Sequence, residues 1–233
     1  MKDLFNHYNI SIDDYQIEKF NRYYELLIDW NQKINLTTIT EYQEVIRKHF
    51  FDSCLLLMKY PKEMFSNKHI IDVGTGGGFP GIPLAILLPE AKFTLIDSLN
   101  KRIDFLKIVI DELQLNHVNL VHGRAEDLGQ NVIYREQFDY CVSRAVAALP
   151  LLLEYCSPFI KKNGLLYLYK SKKVTQEIQE AENALKILNC KVKENIQLIS
   201  DMEYERFVLE IEKVDNTPSK YPRKAGKPKK KPL

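Results

Sequence analysis

The sequence predicts an α/β fold in which a seven-stranded, mostly parallel sheet follows a helical extension. From His69 onward, short apolar strand patterns alternate with helical patterns, which is typical of a parallel sheet covered by helices on both faces. The last two strand patterns have no helix between them, so we expect a terminal antiparallel hairpin. Three parts are predicted: a helical extension over 1–66, a core over 67–215 and a basic, flexible tail over 216–233.

Two periodic segments predict the helices of the extension. Ser11 followed three residues later by Asp14 matches a capping box, and apolar residues then step at helical spacing as far as Ile34. A second helix is expected from about Glu41 to Met58. It should end before Pro61, because proline cannot continue a helix.

The core elements follow from apolar runs and from helical spacing. Strands are predicted at 69–73, 92–97, 117–122, 138–142, 164–169, 190–199 and 206–213. Helices are predicted at about 82–88, 99–114, 146–160 and 173–189, with only a short segment after the third strand. No stretch has the length and apolar character of a membrane span or a signal peptide. The four cysteines are scattered, so we expect reduced thiols, a cytoplasmic protein and no metal site.

A glycine-rich segment, Asp-Val-Gly-Thr-Gly-Gly-Gly-Phe-Pro-Gly over 72–81, joins the first strand to the next helix. Glycine permits positive φ and a close approach of a ligand, and the helix start adds free N–H groups. Ile82 follows Gly81 where a phosphate-binding P-loop would have lysine, which disfavours a nucleoside triphosphatase. We therefore expect another nucleotide-like ligand, held in part by Gly74 and Gly76.

Two acidic residues indicate which class of nucleotide-like ligand the glycine-rich segment holds. Asp72 lies two residues before Gly74, and D-x-G-x-G-x-G resembles the first motif of S-adenosylmethionine methyltransferases. Asp97 lies 21 positions after Gly76, close to the ~20 expected of an acid that binds a ribose diol. The alternative for Asp97 is a cap on the following helix. Because the dinucleotide fingerprint also fits loosely, an NAD(P)-dependent oxidoreductase stays open as a competing prediction.

Several short segments, in one order along nearly the whole chain, together resemble one family. They are Trp30–Thr37, His49–Ser53, the glycine-rich segment, Asp97–Arg102, Gly123–Glu126, Ser143–Val146 and Tyr221–Gly226. The set is similar to the bacterial 16S ribosomal RNA guanine-N7 methyltransferases, once called glucose-inhibited division protein B. Relatives often carry alanine at Gly77 and Leu-Lys-Gly at Tyr169–Ser171, which makes the role of Lys170 less certain.

The resemblance implies a Rossmann-like class I methyltransferase fold with S-adenosyl-L-methionine as cofactor. It implies methylation of a guanine N7 at position 527 of 16S ribosomal RNA, with that RNA or the small ribosomal subunit as partner, by a monomer. A different RNA target stays open. The implied cofactor-binding residues are Gly74, Gly76, Phe79, Asp97, Ala125, Glu126 and Arg144.

The sequence has no obvious motif for acid/base catalysis, and the chemistry of guanine N7 requires none. N7 has a free lone pair and no proton, so the enzyme need only align the reactants and exclude water. Arg144, after the fourth strand, could bond guanine O6, a phosphate or the cofactor carboxylate. Asn35, His49 and Lys170 are further candidates for substrate contact. The alternatives are a turn at Asn35 and a hydrogen-bonded core residue at His49.

The C-terminal tail has a composition of its own. Residues 216–233 hold seven basic residues and no acid, which indicates a polyanionic partner at this end. We expect deletion of 218–233 to weaken RNA binding and to leave cofactor affinity intact. A non-catalytic RNA-binding protein is a third prediction, and it would tolerate a bulky residue at Gly74.

Overall fold

A seven-stranded sheet forms the centre of the structure, a computed structural model that describes residues 1–200 and 205–233. The strands are β1 (His69–Val73), β2 (Lys92–Asp97), β3 (Val118–His122), β4 (Phe138–Arg144), β5 (Ile160–Lys170), β6 (Cys190–Ser200) and β7 (Glu205–Lys213). Their order is β3-β2-β1-β4-β5-β7-β6, with β7 antiparallel to β5 and β6 and the other neighbouring pairs parallel. The predicted sheet and its terminal hairpin are therefore confirmed.

Helices cover both faces of this sheet. The α-helices are α1 (Lys2–His7), α2 (Asp14–Asn31), α3 (Tyr42–Val45), α4 (Asp52–Cys54), α5 (Gly81–Leu87), α6 (Asn100–Glu112), α7 (Ala125–Leu128), α8 (Leu149–Cys156), α9 (Val174–Glu180), α10 (Glu182–Ile187) and α11 (Lys227–Lys230). The predicted helix over 173–189 is thus two helices, and β5 begins earlier than the predicted 164. None of the helices in the described part of the chain combines the length and the apolar character needed to cross a membrane.

The alternation of side chains along β1 creates two hydrophobic cores. Successive residues of a strand point to opposite faces, so Ile70 enters one core while Ile71 and Val73 enter the other. The first core contains α1, α2, α5 and α6, and the second contains α8 and α10. Because the chain leaves β1 for β2 on one side and later returns to β4 on the other, the carboxyl end of β1 is the point where ligands bind in such sheets.

The N-terminal helices share the first core with the sheet. Phe5, Phe20 and Phe50 are fully buried there, together with Leu95 of β2. Burying one such ring stabilises the fold by roughly 1.5–3 kcal/mol. The helical extension is therefore held to the sheet by a continuous hydrophobic core.

The start of α2 differs from the prediction. Asp13, not Ser11, is the N-cap: its side chain accepts a hydrogen bond from the Gln16 N–H, and the Gln16 side chain accepts one from the Asp13 N–H. Gln16 is the glutamine that a capping box requires at its third helical position. The predicted pairing of Ser11 with Asp14 placed the cap two residues too early.

The second predicted helix is confirmed over almost its full length, but its geometry changes in the middle. After α3, residues Ile46–Phe51 form a π-helical turn, α4 follows, and Leu55–Met58 form a 3₁₀ turn. Such wide turns are rare and often mark functional positions. This one carries His49 and directly precedes Asp52.

The predicted flexibility of the basic tail is wrong for its central part. Tyr221 and Pro222 are buried, and Arg223 forms an ion pair with Glu154 of α8 at 2.6 Å. The side chain of Glu154 is fully buried, and removing one partner of such a buried pair is strongly destabilising. The basic composition of the tail indicated a solvated segment. The ion pair between Arg223 and the buried Glu154, 69 positions earlier, could not be read from that composition.

Candidate functional site

The glycine-rich loop begins where β1 ends and turns sharply into α5. The N–H groups of Gly74 and Thr75 both donate to the Ile96 carbonyl of β2, at 3.0 and 3.1 Å, which ties the loop to the sheet. Gly74 has φ +73°, and a Cβ there would lie 2.7 Å from a methyl of Val146. A larger residue at Gly74 would therefore be strained in backbone and contacts alike.

Asp72 holds this loop from beneath. Its Oδ2 accepts hydrogen bonds from the Thr75 hydroxyl at 2.7 Å and from the Gly81 N–H at 2.9 Å. The side chain is fully buried, and Oδ1 has no hydrogen-bond partner among the described residues. Burial raises the pKa of Asp72 to about 7, while the two hydrogen bonds and the Arg144 charge oppose the rise.

Asp97, at the end of β2, is also tied to the loop. Its Oδ2 accepts from the Gly76 N–H at 2.9 Å and from Arg102 at 3.2 Å, and its Oδ1 accepts from the Leu99 N–H at 2.9 Å. The N-cap position of α6 is Leu99, so Asp97 does not cap that helix. Each carboxylate oxygen has two lone pairs, so Oδ2 is fully used and Oδ1 can accept from one further donor.

A cleft of about 380 Å³ opens at the carboxyl ends of β1, β2 and β3. This volume lies within the usual range for small-molecule sites. Its walls are Val73, Gly74, Ile96, Asp97, Ser98, Leu99, Gly123, Arg124, Ala125, Glu126, Val146, Tyr155, Gly226 and Lys229. The structure thus brings together four of the predicted cofactor residues, namely Gly74, Asp97, Ala125 and Glu126.

Glu126 lies in the first turn of α7, which follows β3, and β2 separates β3 from the strand that carries the glycine-rich loop. It is buried, and its Oε1 accepts a hydrogen bond from the Gly226 N–H at 3.0 Å. That contact joins a predicted cofactor residue to the C-terminal segment, 100 positions away in sequence.

Arg144 belongs to a second cluster, beside the cleft. Its guanidinium donates to Asp52 at 2.6 Å and to the Lys48 carbonyl at 3.2 Å. Asp52 is fully buried and also accepts from Arg206 at 2.6 Å. A buried carboxylate shared by two guanidiniums fixes Arg144 in place.

Phe79, within the glycine-rich segment, contacts this second cluster. His49 stacks on its ring at 4.7 Å between centroids, and the Arg144 guanidinium lies 5.0 Å from the same ring. His49 also pairs with the Thr37 hydroxyl at 2.7 Å. Burial and the nearby Arg144 charge lower the pKa of His49 to about 4, so its ring is neutral near pH 7.

The two remaining candidates lie elsewhere. Lys170 is buried, donates to Glu177 at 2.7 Å and to the Ala147 carbonyl at 3.2 Å, and so holds the loop after β4. Asn35 is exposed, and the turn around it is made by Asn31, whose side chain bonds Leu36 and Thr37.

Sequence reasoning missed Asp52 and the C-terminal residues of the cleft. A signal for Asp52 was available, because an acid among Phe50, Phe51 and Cys54 must be buried with a partner. Nothing in the sequence around Gly226 and Lys229 indicates that they line the cleft, because their position there depends on how the tail folds back.

The geometry agrees with what the chain resembles. Residues 16–204 match the family model GidB, described as rRNA small subunit methyltransferase G. The Ribosomal RNA small subunit methyltransferase G of Alkaliphilus oremlandii is 50% identical over 97% of this chain and 94% of its own length. The chain belongs to the GidB family.

Solved structures support the fold of this GidB family member. The crystal structure of cofactor-bound Rv0187 from MTB aligns with a TM-score of 0.61 and 14% identity, over 92% of this chain and 96% of that one. A SAM-dependent O-methyltransferase from Thermotoga maritima aligns with a TM-score of 0.51 and 16% identity, over 82% and 72%. The predicted Rossmann-like class I methyltransferase fold is confirmed.

Proposed function

We propose that this GidB family member transfers a methyl group from S-adenosyl-L-methionine to N7 of a guanine in 16S ribosomal RNA. The observation that carries the proposal is the cleft at the carboxyl end of β1, in which Gly74, Asp97 and Glu126 converge in a chain of this family. Cytoplasmic action on the RNA or the small subunit follows from that substrate.

The residues of the cleft fit an adenosyl cofactor that carries an amino-acid group. Three donors already occupy the four lone-pair sites of Asp97, so one site on Oδ1 is free to accept from a ribose hydroxyl, and Ala125 and Glu126 line the same cleft, where they can contact an adenine. Once ionised, above about pH 7, Asp72 puts negative potential beneath the loop, which favours a cationic ligand. When bound, the cofactor supplies an electrophilic methyl group on a sulfonium.

Arg144 and its neighbours have the task of positioning, not of proton transfer. Guanine N7 has no proton to remove, so the step needs no general base, and the neutral His49 ring has no proton transfer to perform in it. Asp52 fixes the Arg144 guanidinium beside the Phe79 ring, and a guanidinium is suited to a carboxylate, a phosphate or guanine O6. Phe79 and His49 offer stacked rings that exclude water.

The test is methyl transfer itself. Purified protein is incubated with labelled S-adenosylmethionine and ribosomal RNA from a strain that lacks the enzyme, and labelled nucleosides are identified by mass spectrometry. We expect label in 7-methylguanosine of the small-subunit RNA, and mapping the labelled position distinguishes the guanine at 527 from another target. Label in cytosine, adenine or protein would overturn the proposal.

Two further experiments test the competing predictions, the NAD(P)-dependent oxidoreductase and the non-catalytic RNA-binding protein. Titration calorimetry with S-adenosylhomocysteine and with NAD tests the oxidoreductase, which requires the second ligand to bind more tightly. Gly74→Leu tests the non-catalytic RNA-binding protein, because a Cβ at Gly74 already meets Val146 at 2.7 Å. We expect this variant to lose cofactor binding and methyl transfer together.

A further inference from the structure

The C-terminal segment folds back across the body toward the cleft. Arg135 donates to the carbonyls of Thr217 at 2.6 Å and Tyr221 at 2.8 Å, and Arg223 bonds both carboxylate oxygens of Glu154, at 2.9 and 2.6 Å. The Tyr221 ring is buried in the second hydrophobic core. These contacts fix the chain as far as Arg223.

Beyond this anchor the segment reaches the cleft itself. Gly226 and Lys229 both line it, and Pro228 between them is buried. The Gly226 N–H donates to Glu126 at 3.0 Å. Gly226 has φ +82°, a conformation that aims this N–H at Glu126 and that a β-branched residue adopts only with strain.

We propose that residues 226–229 are the outer wall of the cleft on its nucleoside side, and that the Gly226 N–H positions the Glu126 carboxylate for the adenosine part of the ligand. The inference rests on the proposed function. It gives residues 226–229 a role in cofactor binding, whereas the sequence led us to expect that the tail contacts only RNA. A neutral N–H holds one oxygen of Glu126, which leaves the other oxygen to the ligand. Removal of this segment therefore lowers cofactor affinity, contrary to the sequence-based expectation for deletion of 218–233.

Gly226→Val is the most direct perturbation in the full-length protein. A Cβ at Gly226 would have no described atom within 4 Å, so the positive φ is the source of strain in this variant, and the Arg223–Glu154 anchor is three residues away from the substitution. Calorimetry with S-adenosylhomocysteine and with 5′-methylthioadenosine, which lacks the amino-acid group, should show both affinities reduced by the same factor, roughly tenfold. An equal factor is expected because both probes carry the adenosine that the wall contacts.

Two further measurements do not depend on that variant. Lys229→Ala should weaken both probes about threefold, whereas Lys230→Ala, an equal charge change on a neighbouring exposed lysine outside the cleft, should leave both unchanged. In the wild-type protein, hydrogen exchange of the Gly226 amide should slow when S-adenosylhomocysteine is added.

The possible outcomes separate this inference from the proposed function. If the wild-type protein binds neither probe, the proposed function fails. If it binds both but Gly226→Val and Lys229→Ala bind them equally well, only the wall is refuted. A loss confined to S-adenosylhomocysteine would also refute it, because the segment would then face the amino-acid end. Should Gly226→Val not fold, Lys229→Ala and the exchange rate still decide.

Discussion

Asp72→Asn tests the electrostatics beneath the glycine-rich loop. In the folded protein the carboxyl is fully buried, and burial raises its pKa from 3.8 to about 7. Asparagine keeps the shape and retains an oxygen that can accept from Thr75 and Gly81. It removes the ionisation and places an NH2 group at the unpartnered Oδ1 position, a cost that does not change with pH, so the pH dependence of stability isolates the effect of the charge.

The sign and size of the effect follow from that pKa. The folded protein holds the proton of Asp72 more tightly than the unfolded chain, so stability falls as pH rises from about 4 to about 7. Above pH 7 the ionised carboxylate costs roughly 4 kcal/mol, of which roughly 2–3 kcal/mol develops between pH 5 and pH 8. Asparagine has no such cost.

The assay is urea unfolding of both proteins at several pH values without ligand. The free energy of unfolding of Asp72→Asn minus that of wild type should rise by roughly 2–3 kcal/mol from pH 5 to pH 8. S-adenosylmethionine should nevertheless bind the variant more weakly at pH 8, because the negative charge is gone. A stability difference that stays constant with pH would mean that Asp72 ionises normally, and the reasoning would be refuted.

Two further predictions concern the cluster beside the cleft and the end of the loop. Asp52→Asn removes the charge that pairs with Arg144, so urea unfolding should show a loss of roughly 3–5 kcal/mol. Its kcat for methyl transfer should fall at least tenfold while the Kd for S-adenosylhomocysteine changes less, and equal changes in both would count against a positioning role. Gly81→Ala places a Cβ 2.7 Å from Asp72 Oδ2 and should lower stability by roughly 1–3 kcal/mol in thermal unfolding. Gly77→Ala is its matched control, since the nearest atom there is 3.3 Å away, and an equal loss in both variants would contradict the steric argument.

The strands could be predicted because their signals are local. Val118–His122 and Lys92–Asp97 agree with the predicted strands to within one residue, since apolar residues bounded by turns need no distant partner. The cap of α2 was also local, but both Ser11 and Asp13 are good N-caps. Only the position of Gln16 decides between them.

The site was predictable where a motif fixes its geometry. Gly74 and Asp97 meet at the cleft because the loop and the second strand end must lie side by side in a parallel sheet. Asp52 and Gly226 were not predicted, because each acts through a residue about 90 or more positions away, and sequence spacing does not show such contacts. Lys170, a candidate for substrate contact in the sequence, supports the loop after β4 through the Ala147 carbonyl, and its contact with substrate stays a prediction.

The most direct test of the central claim is a crystal structure with S-adenosylhomocysteine at saturating concentration. We expect the ligand to fill the cleft between Gly74 and Glu126, with a ribose hydroxyl within hydrogen-bond distance of Asp97. An empty cleft, or a ligand bound at another surface, would show that these residues do not form the cofactor site.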